Sequence, residues 1–208
     1  MFWALAITGF IAVALAYAYW VHRSDSRRLT ALLAPFARRH GGELRPASLL
    51  YLPQLRFEQK DRRYLVMAMP SSGFGPAGGS NHGPFTFADL DLPYDIGHEL
   101  RVQRGDPKLT GNNVRILDPF TKVRRPETGD AAFDEVFRIT GSGHVFAGRL
   151  LDPDLRARLL ASSLPRLELR LDGRQISVHM DGIASTEAEI AELIEIADLL
   201  ADRCPEPA

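Results

Sequence analysis

The stretch FADLDLPYDIGHE, residues 87 to 99, places Asp89, Asp91, Asp95, His98 and Glu99 within a few positions of one another, with His82 shortly before it. Carboxylate oxygens and imidazole nitrogens bind divalent cations and carry protons, so these residue types point to a small metal-dependent or acid/base hydrolase using His82, Asp89, Asp91, His98 and Glu99. The spacing argues the other way. His98-Glu99 continues as Leu-Arg-Val, which breaks the H-E-x-x-H zinc pattern, and the acidic run lacks the Gly and the distal Glu of a calcium loop. The plainer expectation puts Asp89 and Asp91 on the outer face of a strand whose inner face carries Leu90 and Leu92, with Arg101 and Arg104 as cross-strand partners.

Just upstream, SSGFGPAGGSNHGP matches G-x-G-x-x-G at Gly73, Gly75 and Gly78. That string holds a dinucleotide only when its glycines open a helix whose N-terminus receives the pyrophosphate, and Pro76 with the glycines and prolines after it cannot start one. No cofactor is therefore expected. The segment is longer than most hairpin connections, so it is expected to be either mobile or a contact surface, in the latter case with Phe74, Asn81 and His82 as its partner-binding residues. Neither Ser80 nor Ser142 completes the G-x-S-x-G pattern of a nucleophile elbow, and no lysine follows a glycine to make a phosphate loop. The single Cys204 excludes an internal disulfide and any multi-cysteine zinc site. Lying beside Pro205 near the end of the sequence, it is expected to be an exposed thiol.

The elements that must position these residues change type along the chain. Gln54 to Glu58 and Tyr64 to Met69 flank the turn Lys60-Asp61-Arg62 as a hairpin, and Phe85 to Leu92, Glu99 to Arg104 and Val114 to Leu117 continue as strands. Strands joined by turns rather than helices predict an antiparallel sheet. In TGDAAFDEVFRITG a helical turn capped by Asp130 runs into a strand through Val136 to Ile139. In HVFAGRLLDPDLRARLLAS, Asp152 caps a helix that has Pro153 in its first turn and Leu155, Leu159 and Leu160 facing inward. Leu167, Leu169 and Leu171 alternate with charged residues, Asp172-Gly173 turns the chain, and Ile176, Val178 and Met180 alternate on the return, leaving His179 on the solvated face. The last helix runs from Thr186 to about Arg203. Thr186 and Glu189 form its capping box, Ile190, Leu193, Ile194, Ala197 and Leu200 its apolar stripe, and Glu192, Glu195, Asp198 and Asp202 its acidic face.

All of this follows Phe2 to Val21, a run without one charged side chain. Some 20 uncharged residues at ~1.5 Å rise span the ~30 Å hydrocarbon layer of a bilayer. Phe2 and Trp3 at one end, and Tyr17, Tyr19 and Trp20 at the other, are the aromatics favoured in the headgroup zone. A cleaved signal peptide is the alternative, with Ala14-Leu15-Ala16 as its site, but the basic n-region is missing. Arg23, Arg27 and Arg28 follow at once, so the positive-inside rule puts the remainder in the cytoplasm, behind a membrane crossed once. Ala4, Thr8, Ala12 and Ala16 recur every four residues and offer a homodimer contact between two such helices. Residues 22 to 43 read as a juxtamembrane amphipathic helix. Leu29, Leu32, Leu33 and Phe36 form its apolar face, Gly41-Gly42 its stop, and Pro35 kinks it or ends it early.

The expected organisation is an anchor over 1–21, the juxtamembrane helix over 22–43, a strand-rich half over 44–125 and an α+β half over 126–208. A net charge of -1, from 25 basic and 26 acidic side chains, leaves no footprint for nucleic acid. The run TGDAAFDEVFRITG, then LLDPDLRARLLA, the leucine-rich strand, the D-G turn and the acidic helix resemble uncharacterised bacterial membrane-anchored proteins with a C-terminal domain of unknown function, over roughly residues 125–203. The resemblance implies an α+β cytoplasmic part on a membrane anchor, and it supplies no catalytic residue. The function expected is a non-enzymatic binding or scaffold module touching the lipid bilayer and a protein partner.

Overall fold

Lys60 and Asp61 both sit at positive φ, 53° and 58°. That is the signature of a two-residue type I′ loop, whose twist matches the strands it joins. The loop closes Gln54–Gln59 (β2) onto Arg62–Met69 (β3) with Gln59 opposite Arg62. A second tight loop, Gly173-Arg174, has its glycine at φ 56° and closes Glu168–Asp172 (β7) onto Gln175–Asp181 (β8), with Asp172 opposite Gln175. The structure, a computed structural model, describes residues 2–48, 51–69, 84–105, 128–141 and 144–205, the side chains of 2–6 and 144 excepted. Val114 to Leu117, expected as a strand, lies outside them.

The other elements are Phe2–His40 (α1), Glu43–Arg45 (β1), Phe85–Asp91 (β4), Glu99–Arg104 (β5), Ala131–Val136 (α2), Phe137–Gly141 (β6), His144–Leu150 (α3), Pro153–Ala161 (α4) and Glu187–Ala201 (α5). The fold is α+β. Among the described residues one eight-stranded sheet runs in the order β1-β2-β3-β4-β8-β7-β5-β6, and every pairing in it is antiparallel. The β7–β8 hairpin is inserted between β4 and β5, so the two strand-bearing stretches read from the sequence build one sheet.

Alternation sets the two faces of that sheet. Leu55, Tyr64, Val66, Ala88, Leu90, Ile176, Val178, Leu169, Leu171 and Val102 are buried on one face. Over it α5 packs on β4 and β8, α1 on β1 and β2, and α2 on β6. The stripe of α5 is spent here, with Ile190, Leu193, Ile196 and Ala197 fully covered. Its capping box is formed as expected: Thr186 accepts from the Glu189 N–H and the Glu189 carboxylate accepts from the Thr186 N–H at 3.1 Å. Asp152 caps α4 in the same way, accepting from the Leu155 N–H at 2.7 Å.

α1 is one continuous helix of 39 residues, about 58 Å at 1.5 Å per residue. It continues through Pro35 to His40 and stops where Gly41, at φ 64°, lets the Gly42 N–H turn back to the Ala37 carbonyl at 2.8 Å. Leu29, Leu33 and Phe36 are buried against the domain, whereas residues 7 to 20 are exposed on every side. Among the described residues no helix is long and apolar enough to cross a membrane. The expected spanning segment Phe2 to Val21 is thus not supported, its first five side chains lying outside those described.

Candidate functional site

Asp89 and Asp91 stand on the sheet face opposite α5, in line with the alternation of β4. The Ser177 hydroxyl donates to Asp89, Gln175 Nε2 donates to it at 3.4 Å, and Leu65 is its neighbour on β3. Burial, opposed by the Ser177 hydrogen bond and aided by the charge of Asp91, pushes the Asp89 carboxyl up to about 6. Asp91 faces solvent and lies 3.9 Å from Arg63. Arg101 and Arg104 are not its partners, because β8 and β7 separate β4 from β5. Arg101 instead lies 2.8 Å from Glu168 on β7, which also accepts from Arg170. Arg104 caps α4, donating at 2.9 Å to the carbonyls of both Leu159 and Ser162, and lies over the Phe137 ring. It offsets the orphan carbonyls and the negative end of that helix.

The insertion of the hairpin also disperses the constellation proposed for catalysis. Glu99 stands on the row of Asp91 but three strand spacings away, about 14 Å. His98 leaves the row altogether and stacks on Phe146 of α3, with ring centroids 4.2 Å apart. Phe74, Asn81 and His82 lie outside the described residues. Among those described, no three His, Cys, Asp or Glu side chains come together as a metal would require.

Asp89, Ser177 and His179 do share one patch of this face, and no sequence motif announces it, because they meet only through the β4–β8 register. The arrangement is not a nucleophile relay. In such a relay the hydroxyl donates to the imidazole and the imidazole to the carboxylate. Here Ser177 donates directly to Asp89, while the His179 ring stacks on Phe85 at 5.7 Å and Phe87 at 5.5 Å. His179 is thus half-buried between aromatics rather than solvated as its outward position alone predicts.

The acidic face of α5 is likewise occupied. Asp198 accepts from Tyr64 and lies 3.1 Å from Arg62, which reaches Asp202 at 2.7 Å. Arg158 spans Glu192 at 2.9 Å and Glu195 at 3.0 Å. These contacts tie α5 to the β2–β3 hairpin and to α4 and leave little of that face for a partner.

Cys204 corrects a second expectation. It is 6 % exposed, packed behind the last turn of α5, and the Tyr94 hydroxyl donates to its carbonyl at 3.1 Å. Burial pushes its thiol up to about 11. A maleimide at neutral pH is expected to label folded protein about a hundredfold more slowly than denatured protein, following the lost thiolate fraction. Equal labelling rates in the two states, read by mass spectrometry, contradict that packing.

No protein-family profile matches the chain. No curated protein matches it by sequence. Among solved structures, the crystal structure of the mycobacterial trehalose monomycolate transport factor A, TtfA, is similar in fold, with a TM-score of 0.56 at 12 % identity over 89 % of this chain and 98 % of that one. The likeness is one of fold.

Proposed function

We propose that this protein is a membrane-anchored, non-enzymatic module whose α+β domain is held at the cytoplasmic face of a bacterial inner membrane as a binding or scaffold platform for a protein partner. The observation that carries the proposal is the first half of α1. Phe10 is 75 % exposed, Val13 69 %, Leu15 66 % and Trp20 65 %, on a helix with no polar face. A helix apolar all round needs a non-aqueous neighbour, and the described residues leave this one exposed. At His22 this changes: its ring meets the Ser48 carbonyl at 2.7 Å, and the helix begins to dock. Arg23, Arg27 and Arg28 are exposed just there, and Arg23 donates to the Tyr19 hydroxyl at 2.9 Å, an order of aromatics and cations suited to a headgroup layer on the cytoplasmic side.

A fold shared with a transport factor supports an accessory role over a catalytic one, as does the dispersal of Asp89, Asp91, His98 and Glu99 over separate parts of the domain. Vesicle flotation tests the anchor. The protein is expected to rise with vesicles of phosphatidylethanolamine and phosphatidylglycerol, whereas the double variant Ala12→Glu, Val13→Glu stays behind. Each buried carboxylate costs about 3 kcal/mol at the centre of a spanning helix. Wild-type protein that stays behind as well, or that forms a discrete homodimer through α1 in place of lipid binding, overturns the proposal.

A further inference from the structure

One cavity in the described part of the molecule has walls of two different kinds. It holds about 430 Å³ and lies where α3, the start of β5 and the residues after α5 meet. That volume is within the range of small-molecule sites. Phe146 and Leu150 of α3 form its floor, both buried, and Val145 stands at its edge with 76 % of its surface exposed. His98 stacks on the Phe146 ring and closes one side. Arg149 and Arg203 supply positive charge.

The two guanidinium groups differ. Arg203 is committed: its Nε lies 2.6 Å from the Asp152 carboxylate and its Nη1 donates to the Leu199 carbonyl at 2.9 Å. Arg149 is exposed, and no described residue makes a hydrogen bond or ion pair with it. Among the described residues nothing offsets the charge of Arg149, and it stands beside the exposed apolar side chain of Val145. A guanidinium pairs a carboxylate or a phosphate through two parallel N–H donors. The exposed Val145 gives a ring or a short chain an apolar surface to cover, above the buried Phe146 and Leu150.

We infer that this cavity binds a small amphipathic anion, a carboxylate or phosphate monoester on an aryl or short alkyl body, with the anion on Arg149 and the body against Val145 and the rim of Phe146. The site is independent of the membrane anchor, so its failure and the failure of the anchor reading are separate results. Calorimetric titration of the full chain in lipid nanodiscs with phenyl phosphate, and in parallel with phenylacetate, tests it against empty nanodiscs. At least one of the two is expected to bind saturably, and inorganic phosphate at least tenfold more weakly than phenyl phosphate. Arg149→Gln and Val145→Asp both change exposed positions and leave the core intact, which an unchanged melting temperature verifies. Each is expected to weaken binding at least tenfold. Absence of saturable binding by both probes, or binding that both variants leave unchanged, overturns the inference.

Discussion

Removing residues 1–21 is expected to leave a domain that melts in one cooperative step near the temperature of the full chain and no longer associates with vesicles. Removing residues 1–40 is expected to abolish that transition. The contrast follows from where α1 changes character. Residues 7 to 20 are exposed, whereas Leu29 and Leu33 are 0 % exposed and Phe36 is 3 % exposed. Burying side chains of this size contributes about 2 kcal/mol each, so the longer deletion removes roughly 6 kcal/mol of packing and opens the sheet over β1 and β2 to water. That is comparable with the whole stability of an ordinary domain. The docked half also carries the stack of Phe36 on His40 and of His40 on Phe57, which continues to Tyr64 at 4.5 Å and from there to Asp198 of α5. Thermal scans of both truncated forms check the claim. A cooperative transition in the 1–40 deletion, or its loss in the 1–21 deletion, contradicts it.

The same helix shows what a sequence makes legible. Its docked face was readable because Leu29, Leu33 and Phe36 recur at helical spacing, and its end because glycine alone takes positive φ freely. Thr186 with Glu189, and Asp152 with Pro153, announce their caps within four residues. The lateral order of the strands is of another kind. Alternation in β4 and β8 tells which side chains turn inward, but nothing in it says that a hairpin formed some 85 residues later will slide between β4 and β5. Arg101 therefore meets Glu168 instead of the aspartates nearest to it in sequence, and His98 and Glu99 part company with Asp89. Cys204 looked terminal because the chain ends soon after it, while its burial depends on the turn that closes α5 and on Tyr94, which lies 110 residues away.

On the open face of the sheet, two carboxylates two strand spacings apart are expected to respond to neutralisation in opposite directions. Asp89→Asn is expected to stabilise the protein by about 2 kcal/mol at pH 7.5, a rise of roughly 4–8 °C in melting temperature. Burial raises the Asp89 carboxyl from 3.8 to about 6 in the folded chain. The unfolded chain therefore releases this proton first, and the charge costs stability increasingly as pH rises from about 4 to about 6. Above that window the cost is complete, and below it there is none. Asparagine carries no charge, keeps an oxygen to accept from Ser177, and so removes the cost.

Glu168→Gln, on β7 beyond β8, is expected to destabilise at neutral pH. Burial works against the charge of Glu168, but hydrogen bonds from Arg101 and Arg170 outweigh it and hold the carboxyl below its usual 4.5. Its contribution is present above that value and lost as pH falls through the lower folded value, where glutamine and glutamic acid become equivalent. At pH 7.5 the substitution leaves two guanidinium groups without their anion, at a cost of about 2 kcal/mol. Melting temperatures of the two variants and the parent between pH 4 and pH 8 test both signs. The Asp89→Asn gain is expected to vanish toward pH 4 and the Glu168→Gln loss to shrink there. An Asp89→Asn variant less stable than the parent at pH 7.5 would show that Ser177 and Gln175 compensate the buried charge and that this face is built around it.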